Sequence, residues 1–224
     1  MQGSKQVHNL VTVILLSNGI CLLLFVLRVL GAGNIGYWFM FWNLLLAWVP
    51  VGLSWLLIRY LNNNSWREPK AVGLTLLWLA FLPNSFYMVS DLIHLRQTGD
   101  IGILFDVVLL VSFIWNGLLA GFISLVLVHK ALMQRTSLHL AHSFIAAILL
   151  AISFAIYLGR SLRWNSWDVL TNPGGLLFDV SERVINPFTY PQAVVTTGTF
   201  FVLLGSMYLV IWQFALMIPS KKQP

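Results

Sequence analysis

The chain has 224 residues, of which 58% are hydrophobic and only 9% are charged. Because a soluble domain carries about 25% charged residues, this composition excludes a water-soluble globular fold, and the high hydrophobicity also excludes a disordered chain. The formal net charge of +6 comes from basic residues scattered singly between apolar runs, so we expect membrane lipids rather than nucleic acid as partners.

Six apolar runs follow one another, and each is long enough to cross about 30 Å of hydrocarbon. Backbone groups in lipid must bond within their own segment, which predicts helices, and no run alternates apolar and polar residues as a barrel strand does. The first run is longer than the core of a signal peptide, so we expect it to be retained. The sequence predicts an all-α polytopic membrane helix bundle, one domain over 1–224 with transmembrane runs at about 10–30, 37–58, 71–90, 101–128, 141–158 and 194–218.

The distribution of lysine and arginine predicts the orientation of this bundle. With a cytoplasmic N-terminus, eight basic residues fall on the cytoplasmic side and five on the outer side, which agrees with the positive-inside rule. Both termini are then cytoplasmic. All acidic residues except Glu68 fall at or near the outer side, so we look there for a functional site.

The end of the third run carries the most informative polar residues. Asn84, Tyr87, Asp91 and His94 are spaced three, four and three residues apart, which places them on one face of a helix. Pro83 has no N–H group, so a carbonyl in the preceding turn loses its partner and a local opening is expected. Polar groups in membrane helices usually face the bundle interior, although a helix that simply leaves the bilayer gives the same pattern.

The fourth run contains Asp106 about five residues from its outer end, where a carboxylate needs a partner or water. Asp91 and Asp106 flank one short outer loop, so we expect their helices to be neighbours; alternatively, the fourth helix begins after Asp106. Gly117 and Gly121 form a small-xxx-small step that predicts close helix packing. Hydrogen bonds between helices are expected from Asn18, Asn43 and Asn116.

The longest loop, 159–193, begins with a basic and aromatic segment. Arg160 and Arg163 are three residues apart, and their guanidinium groups suit a carboxylate, a phosphate or a lipid head group. Trp164 and Trp167 suit the membrane interface, and plain interfacial anchoring is the alternative interpretation. Farther on, two turn signals flank apolar residues at helical spacing, which predicts a short extracytoplasmic amphipathic helix.

We expect these three segments to form one pocket on the outer side of the membrane. The candidate catalytic residues are Asp91, His94 and Asp106. The candidate substrate-binding residues are Asn84, Tyr87, Arg160, Arg163, Asn165 and Asp168.

The histidines and the single cysteine narrow the cofactor chemistry. Only His94 of the five histidines falls on the outer side, so a three-histidine zinc centre cannot form there, and Cys21 alone excludes a cysteine-based cluster. Two kinds of chemistry are still possible at this site. One is a divalent metal held by Asp91, His94 and Asp106, and the other is an acid/base group. The sequence has no nucleotide-binding or haem motif. Polar interfacial positions near the inner side are expected for His129, His139 and His142.

Two motifs carry a family resemblance. They are Phe81-Leu82-Pro83-Asn84, followed by Tyr87 and Asp91-Leu92-Ile93-His94, and Gly159-Arg160, followed by Arg163-Trp164-Asn165-Ser166-Trp167-Asp168. In both, the chain resembles a bacterial integral membrane family known as domain of unknown function 1361, although Ser85 and Phe86 stand where a small residue and proline are expected. The resemblance implies a multi-pass protein of the bacterial inner membrane and implies no activity, so the function must be argued from the site.

Three classes of function are consistent with such a site. An accessory or assembly factor of the cell envelope, or a lipid-handling protein, would use the outer site and loop 159–193 to hold lipids or an envelope protein partner. A membrane-embedded hydrolase or transferase would use His94 with Asp91 or Asp106 on an anionic lipid or envelope substrate. A small transporter or channel would need polar groups across the whole bilayer, whereas here they concentrate in the outer half.

Overall fold

The computed structural model describes residues 2–95 and 102–217, and these residues form helices with no strand among them. The predicted start of the fourth run at residue 101 and the predicted end of the sixth at residue 218 lie outside the described residues. So do three basic residues of the charge count, Arg96, Lys221 and Lys222.

Six helices have the length and apolar character needed to cross a membrane, which confirms the predicted all-α polytopic bundle. The first three are α1 Gln2–Ala32, α2 Trp38–Leu61 and α3 Pro69–Tyr87, and a 3₁₀ helix, Met88–His94, continues α3. The remaining elements are α4 Ile103–Met133, α5 Leu138–Ser161, the short helices α6 Asp168–Thr171 and α7 Pro173–Ile185, and α8 Pro191–Met217.

Helix α4 forms the centre of the bundle and packs against α1, α2, α3, α5 and α8. Its glycines explain how the end of α3 reaches it. A Cβ atom on Gly117 would lie 2.5 Å from the sulfur of Met88, and one on Gly121 would lie 2.6 Å from the Phe86 ring. The small-xxx-small step therefore permits the close packing that the sequence predicts.

The six long helices run alternately in opposite directions, so the segments that connect them lie at two ends of the bundle. Each connection reverses the direction of the chain. Residues 33–37, 88–95 and 162–190 therefore share one end, which we call the Arg160 end. The connections 62–68 and 134–137 share the opposite end, which we call the His129 end. The residues of the three predicted outer segments are therefore gathered at the Arg160 end.

The polar stripe at the end of the third run does not continue as one α-helix. Helix α3 passes through Pro83 and gives way to the 3₁₀ helix at Met88. With three residues per turn, Asp91 and His94 eclipse one another, so both still lie on one face. The change of helix type thus preserves the alignment that the α-helical spacing predicts.

Helix α7 is the amphipathic helix predicted in loop 159–193. The side chain of Asn172 caps it by accepting a hydrogen bond from the Gly175 backbone N–H at 3.1 Å. One face packs toward α5, and the other exposes apolar side chains as an interfacial helix does. The exposed residues are Leu177, Phe178, Val184 and Ile185.

The expectation that His129 is a polar interfacial residue is wrong. It is fully buried between α4 and α8, where its Nδ1 lies 2.8 Å from the Tyr208 hydroxyl and its ring stacks on Trp212 at 3.9 Å. A crevice with a largely apolar lining lies beside it, between α5 and α8. The position of His129 beside a turn in the sequence does not reveal its burial, because the partner rings come from α8, where Tyr208 lies 79 residues farther along the chain.

Candidate functional site

The guanidinium group of Arg160 is the centre of a polar cluster at the Arg160 end. Its Nη2 donates to Asp91 Oδ1 at 2.7 Å and to Ser90 Oγ at 2.6 Å, and its Nε donates to the same hydroxyl at 3.1 Å. Its Cζ lies 4.6 Å from the centre of the Tyr87 ring. Charge-assisted hydrogen bonds therefore tie α5 to the 3₁₀ helix, and a cation–π contact ties it to the last residue of α3.

Asp91 is buried, and both of its carboxylate oxygens have partners. Beside the bond from Arg160, the amide of Asn43 in α2 donates to Oδ2 at 2.9 Å, which confirms the predicted bond between helices. The Asp91 side chain is 2% exposed, whereas that of Arg160 is 21% exposed. One cation and one amide thus offset the desolvation of this carboxylate, which makes the pair a structural link among α2, the 3₁₀ helix and α5.

His94 joins the same cluster from its exposed side. Its Nε2 lies 3.1 Å from Arg160 Nη1, and because a guanidinium group only donates, Nε2 is the acceptor. The ring makes an edge contact with Phe39 of α2 at 5.2 Å between centroids. The structure therefore brings Asp91, His94 and Arg160 together, as the sequence predicts.

Asp106 belongs to a different ion pair. Its Oδ1 accepts from Nε of Arg28 in α1 at 3.3 Å, and both side chains are almost completely buried. Arg28 also donates to the carbonyl and side-chain oxygens of Asn34, and it lies over the Tyr37 ring. Among the described residues, nothing links this pair by a hydrogen bond to the Arg160 cluster. The structure thus places Asp106 with α1 rather than with Asp91 and His94.

The three candidate metal ligands, Asp91, His94 and Asp106, do not lie together as one metal-binding group among the described residues. Within residues 2–95 and 102–217, no group of three or more His, Cys, Asp or Glu side chains is arranged to hold one. Asp106 pairs with Arg28 and Asp91 pairs with Arg160. His94 accepts a hydrogen bond from Arg160 as well.

A cavity of about 490 Å³ opens beside the Arg160 cluster, between α2, α3, α5 and the segment that follows α5. Tyr87 connects the two features, because its ring lies under the Arg160 guanidinium group and also lines the cavity. Of the predicted substrate-binding residues, the lining includes Asn84, Tyr87, Arg163 and Asn165. Three tryptophans, Trp42, Trp164 and Trp167, also line it.

Local geometry holds the 163–167 segment over this cavity. The amide of Asn84 donates to Ser166 Oγ at 2.8 Å, and the Trp164 indole donates to an Asp179 oxygen in α7 at 2.8 Å. A Cβ on Gly159 would lie 2.9 Å from the Tyr87 ring, so glycine permits the close approach of α5. Arg163 has a φ of +62°, a left-handed conformation that turns the chain back over the opening.

Asp168 stabilises its own turn and is not in the cavity lining. Its Oδ2 accepts from the Asn165 backbone N–H at 2.6 Å, and its Oδ1 accepts from the Thr171 hydroxyl at 3.2 Å. Asp168 therefore stabilises the turn that begins at Asn165 and the short helix α6, at a position apart from the cavity lining.

Sequence reasoning missed Arg28 and Ser90 as members of these clusters. Arg28 lies inside the first apolar run, and a charge at such a position requires a partner, which was a usable signal for the pair with Asp106. Ser90 carried no signal, because a serine at the end of a membrane helix has many ordinary roles.

Comparison with known proteins agrees with the sequence resemblance. A search of curated proteins and a search of solved structures both find no match. The family model described as "Protein of unknown function (DUF1361)" matches residues 42–209, a range that includes α3, the 3₁₀ helix, the 159–193 loop and all residues of the cavity lining. The chain therefore belongs to this family of multi-helix membrane proteins of unknown function.

Proposed function

We propose that this protein is a lipid-handling protein of the cell envelope that binds the head group of an anionic lipid in the cavity at the Arg160 end. The observation that carries the proposal is the lining of that cavity, where Arg163 is the one charged side chain among the described residues and tryptophans and amides surround it. From the charge count, the cavity opens to the outer leaflet of a bacterial inner membrane, and both chain termini are cytoplasmic.

The charge balance of the cavity favours an anion. Arg163 is exposed and has no hydrogen bond or ion pair from its side chain among the described residues. Arg160, by contrast, is already neutralised by Asp91 behind the Tyr87 ring. A ligand phosphate therefore meets an unpaired guanidinium group at the opening, and guanidinium groups suit phosphate oxygens.

The other residues of the lining suit the parts of a lipid that adjoin its phosphate. Leu46, Leu79 and Leu176 supply apolar surface for the first part of an acyl chain, and the tryptophans suit the level of the head groups. Asp91 and Asp106 are each paired with a separate arginine, and neither is among the residues that line the cavity, so the geometry gives no comparable support to acid/base catalysis.

Substituting Ala155, which lines the cavity from α5, tests this proposal. Thermal unfolding of the purified protein is measured in neutral detergent with increasing phosphatidylglycerol. We expect the lipid to raise the Tm of the wild type, and Ala155→Phe to remove most of the shift by filling the cavity. Arg163→Gln is expected to weaken binding about fivefold, as for a partly exposed charge-assisted contact.

The matched control is Ala146→Phe, the same substitution in the same helix but beside the apolar crevice at the His129 end. It is expected to leave the Tm shift intact. Equal shifts for wild type and Ala155→Phe, with Ala155→Phe shown to be folded, would contradict the proposal.

A further inference from the structure

The amide of Asn84 has a fixed orientation in the cavity. Its Nδ2 donates to the Phe81 carbonyl at 3.0 Å and to Ser166 Oγ at 2.8 Å, so both of its N–H groups are used. Its Oδ1 accepts no hydrogen bond from the part of the chain that the structure describes. At this position the cavity therefore offers an acceptor and no donor.

Two further amides in the lining are oriented in the same way. Asn43 directs its Nδ2 to Asp91 Oδ2 at 2.9 Å. Asn165 directs its Nδ2 to its own turn, toward the Arg163 carbonyl at 3.3 Å and Asp168 Oδ2 at 3.4 Å. In both residues Oδ1 is left without a partner within residues 2–95 and 102–217. The lining thus combines three amide acceptors with one cation, Arg163.

We infer that the cavity selects anionic lipids whose head group carries free hydroxyl groups, such as phosphoglycerol or a phosphorylated sugar or cyclitol. The inference rests on the proposed function and names its substrate class. Amide carbonyl oxygens accept hydrogen bonds, and a phosphate diester has no N–H or O–H to give them. Hydroxyl groups beyond the phosphate supply those donors, while the phosphate itself meets Arg163. A lipid without hydroxyl groups would leave these acceptors without a donor, which is most unfavourable at the half-buried Asn43 and Asn84.

An ammonium head group is the competing source of donors. In a zwitterionic phosphatidylethanolamine it would satisfy the amide oxygens. Its positive charge, however, would lie in a cavity where Arg163, the one charged side chain that the described part of the chain contributes, is already cationic. The unpaired guanidinium group of Arg163 therefore favours hydroxyl donors over ammonium donors.

Four lipids with the same acyl chains separate these cases in a binding titration with the purified full-length protein. Phosphatidylglycerol and phosphatidylethanol carry the same single negative charge and differ in head-group hydroxyls. Phosphatidylinositol presents a ring of hydroxyls, and phosphatidylethanolamine presents the ammonium group. We expect phosphatidylglycerol to bind about tenfold more tightly than phosphatidylethanol, as two additional hydrogen bonds imply. Stronger binding of phosphatidylinositol than of phosphatidylglycerol assigns the site to cyclic head groups.

Asn84→Leu and Asn165→Leu are each expected to bring the ratio of the affinities for phosphatidylglycerol and phosphatidylethanol close to one. Because Asn165 is exposed, its substitution carries little risk to folding. Asn62→Leu, at an exposed asparagine of the His129 end, is the matched control and is expected to keep the ratio. Equal binding of phosphatidylglycerol and phosphatidylethanol would overturn this inference and leave the proposed function standing. Tighter binding of phosphatidylethanolamine would also overturn it. Failure of all four lipids to bind would overturn the proposed function as well.

Discussion

Replacing Arg28 with methionine is expected to lower the free energy of unfolding by about 3–5 kcal/mol, because Asp106 would keep a buried charge without a counter-ion. The two side chains are 2% and 1% exposed, and the bond between Nε and Oδ1 is 3.3 Å long. Oδ2 of Asp106 has no hydrogen-bond partner among the described residues, so the remaining carboxylate would have little compensation. Unfolding of the purified protein in mixed detergent micelles measures this difference.

A double-mutant cycle separates the ion pair from the packing of the arginine side chain. Combining Arg28→Met with Asp106→Leu removes both charges and is expected to recover most of the lost stability. Arg67→Met, at an exposed arginine of the His129 end, is the matched control and is expected to change stability by less than about 0.5 kcal/mol. A double variant as unstable as Arg28→Met alone would show that the carboxylate is not the cause.

Replacing Arg160 with methionine is expected to lower the free energy of unfolding by about 2–4 kcal/mol and to weaken lipid binding at the same time. Asp91, only 2% exposed, would lose its counter-ion, while the 21% exposure of Arg160 reduces the effect relative to Arg28 through solvent screening. Binding weakens because the Tyr87 ring, which lines the cavity, loses the guanidinium group that lies over it. Unfolding and lipid titration of the same preparation measure both effects.

Arg160→Lys distinguishes charge from geometry at this position. Lysine keeps the positive charge near Asp91, but it cannot reproduce the planar fork that reaches both Ser90 and Asp91. We expect intermediate stability and incomplete recovery of lipid binding. If Arg160→Met unfolds no more easily than the wild type, the ion pair with Asp91 does not hold α5 against the 3₁₀ helix.

The helices were predictable because lipid offers the backbone N–H and C=O groups no hydrogen-bond partners. Each long apolar run must satisfy its own hydrogen bonds, so hydropathy alone locates α1 to α5 and α8. Helix α7 was predictable for a related reason, since apolar residues at helical spacing between two turn signals indicate an interfacial helix. That Asp91 would meet some partner was predictable from the rarity of charges in membrane segments, which makes pairing necessary.

The choice of partners was not predictable, because spacing along one helix does not say which other helix faces it. Asp106 lies close in sequence to Asp91, yet it pairs with Arg28, 78 residues away. Asp168 resembled a binding residue because it follows two tryptophans and an asparagine, but its carboxylate accepts a hydrogen bond from the Asn165 backbone within its own turn. The cavity itself depends on Gly159 and on the left-handed conformation of Arg163, and neither leaves a periodic pattern in the sequence.

Photo-crosslinking tests the central claim, that an anionic lipid occupies the cavity at the Arg160 end, most directly. The protein is placed in bilayer nanodiscs with phosphatidylglycerol carrying a diazirine beside its glycerol backbone, irradiated and mapped by peptide mass spectrometry. Our account predicts that the label concentrates on residues 79–87 and 163–169 and that Ala155→Phe removes most of it. Label spread over the exposed faces of α1 and α8, with no change in Ala155→Phe, would contradict it.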